Sequence, residues 1–186
     1  QYCGGLRKFM STNSKGAPIV MSFIKLNNPF VIAEIGGNHE GDFTYAKKLL
    51  SNAVETGVHA IKFQTYTADR IVNKILSPDR NKHFSRFELT IDQYIELGDI
   101  CKKTGVYFMT SLWDLESIEL LDPYIAIHKV GSGDLTNYRL LKPLAETGKP
   151  LCIATAMATM DDALATVEFI RTVNPELVDS GNLCVM

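Results

Sequence analysis

The sequence predicts an α/β protein of the (β/α)8 TIM-barrel class, of which this chain would supply the first five to six strand–helix units. Three observations support this prediction. After Asn28, apolar runs alternate with amphipathic segments. The runs are nearly continuous in apolar residues, which is typical of parallel strands buried on both faces. Residues capable of chemistry follow several of these runs, and the carboxyl ends of successive barrel strands form one active site.

The predicted elements follow one another in a regular order. A strand at 29–36 precedes a helix at 42–56, which Gly57 ends as a C-terminal cap. A second strand at 59–65 leads into a long polar connection over 66–90. The remaining predicted elements are helix 91–104, strand 106–111, helix 114–121, strand 125–130, helix 137–147, strand 150–155, helix 160–173 and strand 182–186.

A doubly wound open sheet would show the same alternation of strands and helices. The sequence disfavours it because no Gly-x-Gly-x-x-Gly motif follows the first strand. A complete barrel takes about 250 residues, whereas this chain has 186. We therefore expect an incomplete barrel, whose open edges would make the isolated chain unstable or prone to aggregation.

Composition argues against several functional classes. The formal net charge is -2, so no basic surface for nucleic acid is expected. No apolar stretch approaches the ~20 residues of a membrane-spanning helix. We predict a cytoplasmic protein with neither nucleic-acid nor membrane partners. The cysteines lack Cys-x-x-Cys spacing, which favours reduced thiols over a disulfide or zinc framework. They are Cys3, Cys101, Cys152 and Cys184.

The first 20 residues differ from the rest in being polar and without periodicity. They lack the apolar core and small-residue cleavage site of a secretory signal peptide. Met21 opens the first apolar segment and is a plausible natural start. We interpret residues 1–20 as a non-native or disordered leader and residues 21–186 as the barrel portion.

Two lysines end corresponding strands of the predicted barrel. Lys62 ends the first apolar run of the second strand, and Lys129 lies at the corresponding end of the fourth. Converging lysines can bind a phosphate or carboxylate through charge-assisted hydrogen bonds. The alternative is a structural network in which each lysine pairs with Glu34 or Asp134. The hydroxyl side chains close to these strand ends are Thr110, Ser111 and Ser132.

Three segments resemble the N-acetylneuraminate (sialic acid) synthase family. They are Ile32–Asp42, which contains Ala-Glu-Ile-Gly-Gly-Asn-His-Glu-Gly, Ile61–Thr65 and Lys129–Asn137. Lys-Phe-Gln alone would be a weak signal, but the three segments in this order and spacing are specific. Thr147–Pro150 and Ala156–Thr159 continue the match, which covers about residues 24–186.

The resemblance implies condensation of phosphoenolpyruvate with an N-acylated amino sugar, such as N-acetylmannosamine, to a sialic-acid-type 2-keto acid and phosphate. By position, Asp134 is implied in proton transfer, and Glu34 in a supporting catalytic or orienting role. His39 is expected to shape the first loop rather than to bind metal. The implied phosphoenolpyruvate-binding residues are Lys62, Thr110, Lys129 and Ser132. The implied supporting residues are Asn38, Gln64 and Thr155.

The family resemblance also implies a divalent metal ion, Mn or Mg, that polarises the sugar aldehyde. Its histidine ligands are expected on later strands, outside this chain, so we assign no metal ligand here. His59, His83 and His128 are unsuitable because of their positions at a strand start, in a polar connection and opposite Lys129. The family's C-terminal antifreeze-like domain, which contributes to a partner's site in a homodimer, is also outside this sequence.

One segment departs from the family pattern. The family commonly has Ser-Thr-Gly-Met after its fifth strand, where this chain has Ala154, Thr155, Ala156 and Met157. Ala154 removes a hydroxyl, and Ala156 replaces a glycine for which we expect an unusual backbone conformation.

Two alternatives therefore stay open beside the synthase interpretation. One is another phosphoenolpyruvate aldolase, of the octulosonate or heptulosonate type. The other is an inactive, truncated or diverged homologue with residual ligand binding or a role in subunit contacts. We expect residues 1–186 to be inactive alone, and the sequence leaves the acceptor sugar open.

Overall fold

The structure is a computed structural model that describes residues 29–186, so the leader predicted over 1–20 lies outside the described residues. Six strands form one parallel sheet and pair in chain order. They are β1 (Ile32–Gly36), β2 (Ala60–Thr65), β3 (Tyr107–Leu112), β4 (His128–Val130), β5 (Leu151–Ile153) and β6 (Leu183–Val185). A doubly wound sheet reverses its strand order near the middle, so pairing in unbroken order confirms the part-barrel prediction.

Helices connect the strands. They are α1 (Phe43–Glu55), α2 (Ala68–Ile71), α3 (Pro78–Ser85), α4 (Ile91–Thr104), α5 (Leu115–Leu121), α6 (Tyr138–Glu146), α7 (Met160–Val173) and α8 (Pro175–Asp179). Single turns of 3-10 helix occur at Asp122–Tyr124 and Ser132–Asp134. Among residues 29–186, none of the helices has the length and apolar character needed to cross a membrane.

The structure differs from the sequence prediction in three short helices. The connection over 66–90, predicted as a long polar segment with no assigned helix, contains α2 and α3, and α8 was not predicted either. α2 has four residues, and α3 buries none of its side chains. Helices so short or so exposed leave no apolar stripe of helical period for the sequence to reveal.

Side-chain caps fix where the longer helices begin. α4 starts with a capping box between Thr90 and Gln93 and ends at Gly105, which has φ 78°. α7 starts with the equivalent box between Thr159 and Asp162. Each cap satisfies backbone N–H groups that the helix itself leaves unpaired, and is worth about 1 kcal/mol. The caps therefore set the lengths of the loops at the carboxyl ends of the strands.

The sheet separates two apolar layers. Alternate residues of each strand, such as Phe63, Phe108 and Ile153, pack in the large cluster with the helices. The intervening residues face the concave, inward side, where the buried members are Ala60, Met109, Ile127 and Cys152. Because successive side chains of a strand point to opposite faces, this division assigns every strand residue to one face.

Two histidines have structural roles away from the carboxyl ends of the strands. His128 is fully buried, and its Nε2 lies 2.9 Å from Oδ1 of Asp122, whose Oδ2 lies 3.0 Å from Lys149 Nζ. Burial lowers the pKa of His128 more than Asp122 raises it. His59 accepts a hydrogen bond from the backbone N–H of Val31 at 3.0 Å. Both histidines therefore have structural partners at these positions.

The β1–α1 loop approaches the segment after α3 very closely. Gly41 has φ +81°, and a Cβ placed there would lie 2.2 Å from the carbonyl oxygen of Arg86. Only glycine fits this contact, because real Cβ atoms do not approach a backbone oxygen to that distance. The loop that follows the first strand is therefore packed against the connection that follows the second.

We predict that Gly41→Ala lowers the free energy of unfolding by roughly 1–3 kcal/mol more than Gly105→Ala does, the range for overpacking. Gly105 has φ +78°, close to that of Gly41, but nothing lies within 4 Å of its added Cβ. The pair therefore separates the steric contact from the cost of the left-handed conformation. Urea denaturation measures both values, and equal losses would contradict the packing described here.

Candidate active site

Polar residues occupy the inward face of the sheet, above its small apolar cluster and toward the carboxyl ends of the strands. Glu34 on β1 pairs in register with Lys62 on β2. A second row crosses β2 to β6 in register. Its members are Gln64, Ser111, Lys129, Cys152 and Cys184. The sheet register therefore brings Lys62 and Lys129, which are 67 residues apart in sequence, to one surface.

Lys62 is buried along with its charged ammonium group. Its side chain is 5% exposed, and its Nζ lies 3.0 Å from Oε1 of Glu34, whose side chain is 56% exposed. A buried ammonium without a partner would be strongly destabilising. The pairing of Lys62 with Glu34, which the sequence analysis gave as the structural alternative to anion binding, is therefore present, and Glu34 lies on the solvent side of the pair.

Lys129 lacks such a partner. Its Nζ donates to the carbonyl oxygen of Val130 at 2.9 Å, and it forms no ion pair within residues 29–186. Burial, followed by repulsion from Lys62, lowers the pKa of Lys129 against smaller opposing effects of Cys152, Glu34 and Cys184. Two ammonium groups thus face one carboxylate, and the local excess of positive charge favours an anionic ligand.

The structure corrects the role assigned to Thr110. This residue is fully buried and, two positions after Phe108, lies on the same helix-facing side of β3. Its hydroxyl lies 2.9 Å from the hydroxyl of Thr65. It therefore does not face the lysines. Ser111, named from the sequence only as a neighbour, is the β3 hydroxyl on the inward face, in register with Lys129.

The turn after β4 carries Ser132 and Asp134. The backbone N–H of Asp134 donates to the Gly131 carbonyl at 3.0 Å, and its Oδ1 accepts from Asn137 Nδ2 at 3.1 Å. Ser132 and Asp134 are both half-buried. The turn is anchored behind by the buried hydroxyl of Thr166 on α7, which donates to the Leu135 carbonyl at 2.9 Å. Thr166 could not be predicted from the sequence, because its partner is a backbone oxygen 31 residues away.

The residues implied in supporting roles contact the rim loops. Asn38 Nδ2 donates to the Ile35 carbonyl at 2.7 Å, and Thr155 Oγ1 donates to the Met186 carbonyl at 2.8 Å. Gln64 packs against Gly36, its Oε1 lying 3.6 Å from the Cβ position there. These contacts indicate that the three side chains shape the rim.

His39 holds the β1–α1 loop together. It is fully buried, and its Nδ1 accepts from the backbone N–H of Gly41 at 3.1 Å. Burial lowers the pKa of this imidazole. The expectation that His39 shapes the loop is confirmed by this contact.

Within residues 29–186, no group of three or more His, Cys, Asp or Glu side chains is placed to hold a metal ion. The described residues therefore do not fit the divalent metal centre that the family resemblance implies.

The unusual backbone conformation expected at Ala156, after β5, does not occur at that residue. Met157, not Ala156, has a left-handed φ of 62°, and its side chain is fully exposed.

Comparison with known proteins identifies one family. The family model for the NeuB family matches residues 49–181. The chain is 32% identical over 158 residues to N-acetylneuraminate-9-phosphate synthase of Mus musculus, covering 78% of this chain and 44% of the relative. It is 31% identical over 155 residues to N,N'-diacetyllegionaminic acid synthase of Legionella pneumophila, covering 76% and 44%. The chain thus spans less than half the length of these relatives.

A solved structure supports the fold. The N-acetylneuraminic acid synthetase of Leptospira borgpetersenii superposes with a TM-score of 0.76 at 23% identity, over 86% of this chain and 54% of the other. At that identity the likeness concerns the fold alone.

We predict that Ser111→Ala weakens sulfate or phosphoenolpyruvate binding about tenfold, since it removes a hydrogen bond to a charged group, worth about 1.5 kcal/mol. Thr110→Val should leave the affinity unchanged and lower the free energy of unfolding by about 1 kcal/mol, because the bond to Thr65 is lost. Isothermal titration and urea denaturation measure these quantities. The reverse pattern would restore Thr110 as the ligand-facing residue.

We also predict that sulfate affinity falls as pH rises through the lowered pKa of Lys129. Sulfate keeps a constant charge in this range and binds the protonated ammonium, so affinity is complete below that pKa and lost above it. The decline should begin at a lower pH than for an ordinary lysine. Lys129→Arg, which stays charged to above about pH 12, should remove most of the decline. An unchanged pH profile in that variant would assign the dependence to another group.

Proposed function

The chain belongs to the NeuB family, and we propose that it is the phosphoenolpyruvate-binding portion of a synthase. The reaction condenses phosphoenolpyruvate with an N-acylated amino sugar and yields a sialic-acid-type nonulosonic acid and phosphate. N-acetylmannosamine, its phosphate and related diacetamido sugars are the candidate acceptors. In the full-length enzyme, we propose a homodimer and a divalent metal ion, Mn or Mg, whose ligands belong to residues outside 29–186.

The observation that carries the proposal is the imbalance of charge on the inward face. Lys62 is matched by Glu34 at 3.0 Å, whereas Lys129 has no carboxylate partner within the described residues. Phosphoenolpyruvate carries a phosphate and a carboxylate, so it can engage both lysines at once. Ser111 and Ser132 add neutral donors at the same end of the strands. The bound anion would replace the backbone carbonyl as the partner of Lys129.

The proposed roles follow from the chemistry of the reaction. A bond forms between C3 of phosphoenolpyruvate and the aldehyde carbon, water adds at C2, and the bond from C2 to the phosphate oxygen breaks. Lys62 and Lys129 stabilise the negative charge that accumulates on the departing phosphate. Ser132, in the turn directly after Lys129, is the second hydroxyl donor to this group.

Asp134 is proposed as the proton-transfer group. Asn137 orients one of its oxygens, and the other makes no hydrogen bond within residues 29–186. A carboxylate held in this way can accept a proton from the attacking water or return one to the new hydroxyl. Glu34 keeps the Lys62 ammonium in place and is proposed as an orienting residue.

Room for an acceptor exists at the same rim. A cavity of about 530 Å³ is lined by the segments that start α5 and α6, including Trp113, Asn137 and Arg139. Asn137 also donates to Asp134, so the cavity adjoins the proposed proton-transfer group. Neither Lys62 nor Lys129 lines it, so we propose adjoining sites for the sugar and phosphoenolpyruvate, with Asp134 beside the two reacting carbons.

One observation favours a second candidate, a homologue that binds ligand without turnover. Ala154 at the end of β5 carries no hydroxyl where the family commonly has serine, and Thr155 is hydrogen-bonded to Met186 instead of replacing it. Binding and turnover must therefore be measured separately.

We predict that Lys129→Ala weakens phosphoenolpyruvate binding and lowers turnover in the full-length enzyme by roughly 10²-fold, as for other electrostatic transition-state donors. Asp134→Asn should lower turnover by a similar factor without changing the affinity for phosphoenolpyruvate. Phosphate release with N-acetylmannosamine and manganese measures turnover, and calorimetry measures affinity. Lys142→Ala, on the exposed face of α6, is the control.

Unchanged affinity in Lys129→Ala would overturn the proposed anion site. Normal affinity without phosphate release from any acceptor sugar would favour the binding-only homologue. Residues 1–186 alone are expected to release no phosphate.

A further inference from the structure

Two cysteines lie side by side in the row of residues that contains Lys129. Cys152 on β5 pairs in register with Cys184 on β6, and Lys129 on β4 pairs in register with Cys152. Cys184 packs against the small apolar cluster that contains Cys152. Both are free cysteines. The sheet thus presents a pair of neighbouring thiols on the inward face, next to the unpaired ammonium of the candidate site.

The backbone spacing of this pair suits a disulfide. Neighbouring strands lie about 4.8 Å apart, and disulfides join Cα atoms that are about 4.4–6.8 Å apart. Because the two residues are direct register partners in parallel strands, their side chains leave the sheet on the same side. Bond formation therefore needs side-chain rotation and a small adjustment of the two strands rather than a rearrangement of the fold.

The two thiols differ in accessibility. Cys152 is buried, and burial raises the pKa of its thiol to about 12. Cys184 is only partly buried. Since the thiolate is the reactive form and access governs its oxidation, a small oxidant would react first at Cys184. Cys152, its register partner on the neighbouring strand, is then placed to displace the oxidised group.

We propose that Cys152 and Cys184 form an oxidant-sensitive dithiol in the wall of the anion site, and that closing their disulfide weakens anion binding at Lys129. With a peroxide as oxidant, the Cys184 thiolate attacks the O–O bond and becomes a sulfenic acid, and one water leaves. The Cys152 sulfur then attacks the Cys184 sulfur, the S–O bond breaks, and a second water leaves. Two thiols supply the two electrons that reduce the peroxide.

The effect on binding follows from the position of Lys129. Its ammonium interacts electrostatically with the sulfur atoms of both cysteines, so a bond between them changes its immediate surroundings. The end of β5 is also tied to β6, since the backbone N–H and hydroxyl of Thr155 both donate to the Met186 carbonyl. Closing the disulfide would draw β5 toward β6. Because β5 is the strand that pairs with β4 at Lys129, this shift would alter the surroundings of the lysine. This second half of the proposal depends on the proposed anion site.

The dithiol is tested by mass spectrometry after brief treatment of the native protein with hydrogen peroxide. A Cys3→Ser background leaves three cysteines, Cys101, Cys152 and Cys184. We expect two of the three thiols to be lost and a cross-linked peptide pair containing Cys152 and Cys184. Cys101→Ser, a buried helical cysteine outside the pair, should not alter the result, whereas Cys184→Ser should abolish it. Three intact thiols, or a different pairing, would overturn the proposal.

Phenylarsine oxide provides a readout that needs no substitution within the pair. It bridges two neighbouring thiols, so one equivalent should bind the reduced background protein and none the oxidised one. No binding to the reduced form would contradict the juxtaposition.

Calorimetry with phosphoenolpyruvate tests the coupling to the site. Affinity should fall roughly tenfold on oxidation, the loss of about one charge-assisted contact, and recover with dithiothreitol. A disulfide that forms without this change would overturn the coupling. Lys129→Ala, measured in the reduced protein, tests the proposed anion site separately, so the two failures are distinguishable.

Discussion

Parallel pairing of the six strands in chain order is the constraint on which the rest of the structure depends. Because every strand runs in the same direction, every carboxyl end lies at the same rim. Because side chains alternate between faces, only every second residue of a strand can meet its neighbours on the inward side. Lys62, Ser111 and Lys129 share a surface for these two reasons, although long helical segments separate them in sequence.

The low polarity of the surroundings gives these residues their chemical character. The inward face beneath them is apolar, with Met109 and Ile127 buried at its centre. An ammonium group there needs an anion nearby, and Glu34 supplies only one carboxylate for the two lysines. Within the described residues, the ligand-free protein therefore has one more ammonium group than carboxylate at this surface, and this excess favours binding of an anion. It does so without rearrangement of the fold, because folding already offsets the cost of burying Lys129 before any ligand binds.

Much of the fold and part of the site could be predicted from the sequence. The near-continuous apolar strands, the helix caps and the lysines at strand ends are local features, and local features are visible in one sequence. The choice between Thr110 and Ser111 was missed for a physical reason. Tyr107, Phe108 and Met109 are all apolar, because both faces of a barrel strand are buried, and an all-apolar run hides which residues face inward. The register with β4 resolves this, and register is a property of two strands.

The bulge in β1 has a consequence for how the site can be tuned. The register skips one residue between Glu34 and Gly36, and Gly36 adopts φ +56° there. A Cβ at position 36 would lie 3.3 Å from Oε1 of Glu34, close enough to push that carboxylate relative to Lys62. A substitution at Gly36, which carries no charge, would therefore change how well the Glu34 carboxylate neutralises Lys62. Related proteins could therefore differ in ligand preference through the residue at this position alone, with every ionisable residue of the site unchanged.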